Sequence, residues 1–192
     1  MKEKTFRWVR KAVQHPLATV WLAIVSFAEA SFFPLPPDMF LMPMVAAKRE
    51  KWFVYSLITA IYSLAGGALG YVIGMLLFDT VALPIINFYD LYDHLYAVRE
   101  LFQQHVFGTV FVSAFTPIPY KVFTISSGMF DVNLGIFLIA AFLGRWLRFL
   151  FEGWLMYRFG ERIAKLVYKS FNTLSIIAVL VVVLLILFIT RG

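Results

Sequence analysis

Six ionisable residues fall within the long apolar stretches of this sequence, where a charge is costly to keep. A charged side chain at the centre of a membrane helix costs about 2.5–3.5 kcal/mol on insertion scales, so such residues are generally paired or face water. Three of the six are acidic and three are basic, which allows a closed and neutral set. The six residues are Glu29, Asp38, Lys121, Arg145, Arg148 and Glu152.

Two interpretations of these charges are open at this point. In the first, they form salt bridges that only hold the helices together. In the second, the acids bind protons beside a basic site for an anionic headgroup. Buried ion pairs are weak evidence for stability, and six charges are more than a short chain needs for that purpose, so we favour the functional interpretation. Arg148 and Glu152 are four residues apart, which also favours a local ion pair on one helix.

The composition excludes a soluble globular protein and most classes of enzyme. Hydrophobic residues make up 61% of the 192 residues, and the mean hydropathy is +0.82. Charged residues make up 15%, against roughly a quarter in soluble proteins. The chain has no cysteine, no G-x-S-x-G or H-E-x-x-H motif, and no histidine near an apolar centre. We therefore expect no enzymatic activity, no cofactor and no metal.

The first half of the chain is predicted to begin with a surface helix and a broken hairpin. Residues 1–16 are typical of an amphipathic interfacial helix, and a frayed basic tail is an equally good alternative. Apolar residues 17–47 are interrupted at Pro34, Pro36 and Pro37. Proline cannot donate a backbone hydrogen bond and disfavours helix in the residue before it. We therefore predict two helical arms with the prolines at the tip between them.

The second arm of this hairpin is too short to cross a membrane. Residues 38–47 reach about 15 Å as a helix, half of the hydrocarbon core of about 30 Å. We therefore predict a re-entrant hairpin, with a single kinked crossing as the alternative. Residues 52–78 then form a full crossing, and Gly66, Gly70 and Gly74 along it should let another helix approach closely.

The second half of the chain has the same order of elements. An amphipathic surface helix connects the halves. An apolar stretch broken at Pro117 and Pro119 is followed by a crossing at residues 134–159 and by an additional crossing near the carboxyl end. We predict one membrane domain made of an interfacial helix, a first repeat, a connector, a second repeat and a last helix, at residues 1–16, 17–78, 79–105, 106–160 and 171–190.

An internal repeat relates the two halves. The pattern F-x-P-[LI]-P-x-x-[MV]-F occurs at residues 32–40 and 115–123. The pattern G-x-L-x-Y-x-x-G occurs at residues 67–74 and 153–160. Two matches in the same order and at similar separations argue against chance. Each repeat would hold one broken hairpin and one membrane crossing.

The distribution of basic residues predicts the orientation of these repeats. The net charge is +6, and the basic residues flank apolar spans, which favours an anionic lipid surface over nucleic acid as a partner. A cytoplasmic amino terminus puts most Lys and Arg residues on the cytoplasmic side. The hairpins then enter from opposite sides, as in secondary transporters with a site at the midplane. Asp38 and Lys121 occupy equivalent positions and would approach one another where the hairpin tips meet.

These motifs resemble those of the DedA family, which shares the VTT domain with eukaryotic lipid scramblases. The resemblance covers roughly residues 17–160 and is carried by Glu29, Asp38, the two proline motifs and the glycine-rich helix between them. It implies two opposed re-entrant hairpins and a role in moving lipids across the bilayer. Bacterial members are proposed to flip undecaprenyl phosphate or phospholipids in dependence on the proton-motive force. The resemblance also implies that Glu29 and Asp38 are the acidic pair of the family.

The second proline motif departs from the family pattern. Many members carry an arginine just before the phenylalanine of this motif, whereas Ala114 precedes Phe115 here. A second arginine of the family, after the proline, is replaced by Lys121. Arginine binds phosphate through two parallel hydrogen bonds, whereas lysine is a point charge. The difference indicates a divergent branch.

The sequence therefore predicts an all-α polytopic membrane protein with inverted repeats, each a re-entrant helical hairpin plus a transmembrane helix. We expect a flippase for a phosphate-bearing lipid in the bacterial inner membrane, linked to the proton-motive force. Lys121, Arg145 and Arg148 would contact the phosphate, and Glu29 and Asp38 would bind or relay protons. A proton-coupled transporter of a small ion or solute, or a membrane-organising protein without transport, is the alternative. Membrane lipids and a second copy of the chain are the expected partners.

Overall fold

The described part of the chain is built of α-helices and contains no strand, which confirms the all-α prediction. The computed structural model describes residues 17–33, 35–89, 99–100, 102–116 and 118–160. The predicted interfacial helix, the last crossing and the middle of the connector lie outside these residues. The helices are α1 Ala18–Ser31, α2 Asp38–Ala47, α3 Trp52–Leu77, α4 Leu83–Tyr89, α5 Val106–Phe115, α6 Tyr120–Met129 and α7 Leu134–Phe159.

The first proline motif separates α1 from α2, as predicted. Helix α1 ends at Ser31, and α2 begins at Asp38, directly after Pro37. Pro36 lies in the connection, and Pro34 lies outside the described residues. Asp38 is in the first turn of α2, where the positive end of the helix dipole stabilises a carboxylate. The proline motif therefore determines where α1 ends and places an acidic residue at the start of α2.

The second proline motif separates α5 from α6 in the same way. Helix α5 ends at Phe115, and α6 begins at Tyr120, directly after Pro119 in an extended conformation. Pro117 lies outside the described residues. Each half of the protein thus has two short helices around a proline motif, followed by a long helix. That these pairs are re-entrant and related by inversion stays a prediction.

Two helices are long enough to span a membrane. Helices α3 and α7 each have 26 residues, or about 39 Å at 1.5 Å per residue, which exceeds a hydrocarbon core of about 30 Å. The stretches Arg49–Thr80 and Leu134–Phe159 are both long and apolar enough to cross a membrane. Only 33% of each apolar window is buried inside the protein. Such exposed apolar faces are typical of helices that contact lipid.

The first long helix, α3, ends at Leu77, one residue from the predicted end at residue 78. Beyond it the chain stays helical through a π-helical turn, Phe78–Ala82, into α4, and this turn was not predicted. The physical reason is Pro84, which has no N–H for the carbonyl of Thr80. The N–H of Leu83 bonds instead to the carbonyl oxygen of Phe78, five residues back, which widens the helix into a π turn.

Helix α3 packs closely against α1, α6 and α7, and its glycines make this approach possible. A Cβ atom on Gly66 would collide with the carbonyl oxygen of Phe27 on α1. A Cβ atom on Gly74 would collide with the carbonyl oxygen of Ile125 on α6. The predicted close approach at small residues is confirmed.

Two buried apolar clusters lie around the long helices. One is built mainly from α1, α2, α3 and α7, and the other mainly from α5 and α7, with one buried residue each from α1, α3 and α6. Helix α7 contributes to both clusters, so it is fixed from several sides. It carries three of the six ionisable residues singled out in the sequence, and their positions are therefore well defined.

Candidate functional site

Arg145 is the most deeply buried charged residue in the described part of the chain, with 2% of its surface exposed. Its Nη2 atom donates to Oε2 of Glu29 on α1 over 2.9 Å. Its guanidinium carbon lies 4.0 Å from the centre of the Tyr120 ring on α6. The negative face of an aromatic ring attracts a cation. Arg145 therefore connects α7 to both α1 and α6.

Arg148, one helical turn further along α7, binds three separate groups. Its Nη2 atom donates to Oδ2 of Asp38 on α2 over 2.9 Å. Its Nε atom donates to Oε1 of Glu152 over 3.0 Å. Its Nη1 atom donates to the carbonyl oxygen of Thr116, just after α5, over 3.2 Å. Both proline breaks thus converge on this one side chain.

The spacing of these residues along α7 explains why they meet. Arg145, Arg148 and Glu152 follow each other at intervals of three and four residues, which places them on one helical face. Asn133 caps the start of this helix, since its Oδ1 accepts a hydrogen bond of 3.0 Å from the backbone N–H of Ile136. The local pair expected between Arg148 and Glu152 is confirmed.

We call the five side chains that these contacts bring together the ionic cluster. The members come from α1, α2 and α7, and three of them are carboxylates while two are guanidiniums. The sequence led us to expect a neutral set of three acids and three cations. The set in the structure has the three acids but only two of the cations. The cluster consists of Glu29, Asp38, Arg145, Arg148 and Glu152.

Lys121 is the one ionisable residue of the original six that does not join the ionic cluster. Its Nζ atom donates to the carbonyl oxygen of Phe33 over 3.0 Å, which links the start of α6 to the loop after α1. It forms no ion pair with a described residue, and the expected approach of Lys121 to Asp38 is not a contact here. Asp38 instead binds Arg148, because α7 lies close to both proline breaks.

Several buried polar atoms at the site have no hydrogen-bond partner among the described residues. Two are carboxylate oxygens, Oδ1 of Asp38 and Oε2 of Glu152, and two are donors, the hydroxyl of Tyr120 and Nε of Arg145. A buried polar group without a partner costs about 1–3 kcal/mol. The cluster is therefore charged, shielded and incompletely satisfied, which suits it to exchange a proton or an anion.

Tyr120 is the site residue that sequence reasoning missed. Its position between Pro119 and Lys121 in the second proline motif was a usable signal. Its ring supports Arg145, and Gly67 leaves room for its hydroxyl, since a Cβ atom there would collide with it. Within the described ranges, no group of three or more His, Cys, Asp or Glu side chains is placed to hold a metal ion.

Comparison with known proteins identifies the family. The VTT domain, the domain of the DedA family, matches residues 35–158. A protein of Haemophilus influenzae, named only as uncharacterised, is 38% identical over 175 residues, which cover 91% of this chain and 88% of that protein. A second uncharacterised protein, from Histophilus somni, is 35% identical over 187 residues, covering 96% and 95% of the two chains. No solved structure matches this chain.

The family match covers most of the ionic cluster. It includes Asp38, Arg145, Arg148 and Glu152, together with both long apolar helices, and it begins after Glu29. The expected resemblance is thus confirmed over more than half of the chain. This protein belongs to the VTT-domain family, the DedA family, and is a membrane protein.

Proposed function

We propose that this protein is a flippase that moves a phosphate-bearing lipid, a phospholipid or undecaprenyl phosphate, across the membrane in dependence on the proton-motive force. Membership of the family indicates a membrane transporter or flippase-like role. The observation that carries the proposal is the ionic cluster at the two proline breaks. Ionisable residues at membrane depth mark substrate and proton pathways.

Lys121 supports an anionic substrate. A lysine ammonium has three N–H donors, and the hydrogen bond to Phe33 uses one of them. The donors of Arg148 are already directed to two carboxylates and a carbonyl. A lipid phosphate that reaches this site is therefore attracted first to Lys121, which lacks a carboxylate partner among the described residues.

The arginines connect phosphate binding to protons. Arg145 and Arg148 are held by Glu29 and Asp38, and a phosphate competes with these carboxylates for the same N–H donors. Hydrogen bonds between two ionised groups are about twice as strong as neutral ones. Proton uptake by an acid therefore weakens its hold on the arginine and makes donors available to the phosphate.

The proposed setting is the bacterial inner membrane, with several crossings and a cytoplasmic amino terminus. The excess of Lys and Arg on one side of the predicted spans supports this orientation. The exposed apolar faces of α3 and α7 support direct contact with lipid. In this proposal the protein binds and moves its substrate without changing a covalent bond.

Translocation in liposomes tests the proposal. The purified protein is reconstituted with lipids that differ in headgroup, and headgroup exposure is followed with and without an imposed pH gradient. We expect faster movement of a phosphate-bearing lipid in the presence of the gradient. Glu29→Gln and Asp38→Asn should abolish this movement in folded protein, whereas Glu100→Gln, an exposed residue outside the ionic cluster, should not.

The same assay separates the alternatives. Movement at the wild-type rate in both Glu29→Gln and Asp38→Asn would remove the proton role of these residues. Flux of a small solute driven by the pH gradient, without lipid movement, would identify a solute transporter. Absence of both activities would favour a membrane-organising protein, and loss of folded protein in both variants would favour a purely structural set of salt bridges.

A further inference from the structure

The charges of the ionic cluster do not balance. Three carboxylates against two guanidiniums leave a formal charge of −1 when every group is ionised. Helices α3 and α5, which pack against α7, carry no charged residue, and the titratable side chains of α3 are tyrosines. The charged turn Arg49–Lys51 also contacts α7, but Arg49 lies beside Gly160, eight residues beyond Glu152. On α6, the uncharged ring of Tyr120 packs against Arg145, and Nζ of Lys121 donates to the carbonyl oxygen of Phe33. An uncompensated charge in an apolar interior is costly, so one more positive charge is needed.

The geometry around Arg148 indicates where this charge is held. Asp38 binds the guanidinium through Oδ2 and Glu152 binds it through Oε1. Each carboxylate therefore keeps one oxygen, Oδ1 and Oε2, and both of these atoms are buried without a partner. Asp38 is 5% exposed. Because the two bonds, at 2.9 and 3.0 Å, go to two nitrogens of one guanidinium, the two carboxylates lie beside each other.

One bound proton would remove the excess negative charge and would also give the two free carboxylate oxygens a partner. Two ionised carboxylates on the same guanidinium repel each other at short range. A proton on one of them turns this repulsion into an O–H···O hydrogen bond, in which the two free oxygens become donor and acceptor. The same proton brings the formal charge of the ionic cluster to zero.

Glu29, the other acid expected to bind protons, has different surroundings. It has Arg145 as its own partner at 2.9 Å, and neither of its oxygens is a buried atom without a partner. Its negative charge is therefore matched one to one. The structure gives no comparable reason for a proton at Glu29.

We propose that Asp38 and Glu152 form a carboxyl–carboxylate pair that holds one proton on Arg148, and that this pair is a proton-binding site of the protein, separate from Glu29. Its role in transport rests on the proposed function, whereas the bound proton itself does not. In transport, the proton enters the pair from water on one side of the membrane and leaves to water on the other. While it is bound, Arg148 faces one neutral and one ionised partner instead of two ionised ones, and so has a donor available for phosphate.

Infrared difference spectroscopy of the reconstituted protein tests this inference directly. The carbonyl stretch of a protonated carboxyl group is separate from that of a carboxylate and shifts in D₂O. We expect one such band at neutral pH in the wild type, and we expect it to disappear when the pH is raised. Asp38→Asn and Glu152→Gln should each abolish it, because the new amide donates the hydrogen bond that the proton provided. Glu29→Gln is the matched control and should leave the band in place.

Each result has a distinct meaning. No titrating carboxyl band in the wild type would overturn the inference without any variant, so the test does not depend on the folding of Asp38→Asn or Glu152→Gln. A band that survives both substitutions, or disappears in Glu29→Gln alone, would also overturn it. A band that behaves as expected in a protein that moves no lipid would leave the proton site standing and reject the flippase. Lipid movement without the band would leave the flippase standing and reject the proton site.

Discussion

Arg148 and Lys121 offer a contrast between two basic residues that lie at the same pair of proline breaks. Arg148 donates to two carboxylates and one carbonyl, at 2.9, 3.0 and 3.2 Å. Lys121 donates to one backbone carbonyl at 3.0 Å, in exposed surroundings. Replacement of each by methionine removes the charge and keeps much of the side-chain volume. We expect Arg148→Met to destabilise the protein far more than Lys121→Met.

The magnitudes follow from these contacts. Removal of one partner from a buried ion pair costs about 3–5 kcal/mol, and Arg148→Met leaves both Asp38 and Glu152 without a cation. Lys121→Met removes one hydrogen bond whose acceptor water can reach, which is worth about 1 kcal/mol. For a chain of this size, 1 kcal/mol corresponds to about 2–4 °C in Tm. The expected losses are therefore roughly 6–20 °C for Arg148→Met and about 2–4 °C for Lys121→Met.

Thermal unfolding followed by tryptophan fluorescence measures both losses, since the chain has five tryptophans. The double substitution Arg148→Met with Asp38→Asn adds a sharper test. The double variant also removes the negative charge of Asp38, which has lost its arginine. We therefore expect its loss of stability to be smaller than the sum of the two single losses by at least about 1 kcal/mol. Equal losses for Arg148→Met and Lys121→Met, together with strict additivity in the double variant, would refute the assignment of Arg148 as the partner of Asp38.

Three further predictions concern the topology, the packing and the phosphate. Cysteines introduced at Thr19 and Ala47, in a chain with no native cysteine, should label from the same side of the membrane, and labelling from opposite sides would make the first helical pair a crossing. Gly74→Ala should cost about 1–3 kcal/mol through overpacking, because its Cβ meets a carbonyl of α6, whereas Gly108→Ala, with open space around it, should be neutral or stabilising in thermal unfolding. Lys121→Met should weaken binding of a lipid phosphate, and unchanged binding and transport would remove this residue from the site.

The helix ends were predictable from the sequence where proline determines them. Helices α1 and α2 lie within two residues of the predicted arms, 17–33 and 38–47, because proline acts through its own missing N–H and its ring. The π turn that follows α3 was not predictable in this way. Pro84 lies beyond the predicted end at residue 78, and the chain accommodates it by a π turn instead of a break.

The site was predictable only in its local part. The pair of Arg148 and Glu152 follows from a spacing of four residues on one helix. The expected contact of Asp38 with Lys121 relied on their equivalent places in the repeat. Equivalence relates positions in the backbone, whereas contact depends on which side chain reaches the carboxylate, and α7 brings Arg148 there first. Tyr120 carries no charge at neutral pH, so the pattern of ionisable residues did not predict its contact with Arg145.

The long-range ion pairs have a consequence for the biosynthesis of the protein. Glu29 and Asp38 lie 116 and 110 residues before their arginine partners. At about 5–20 residues per second, a ribosome needs roughly 5–25 s to add the missing cations. During this interval α1 and α2 leave the ribosome before the arginine partners of their acids are made, so their final docking waits for α7. A chain truncated before α7 lacks both arginines, so we expect it to be degraded faster than the full chain.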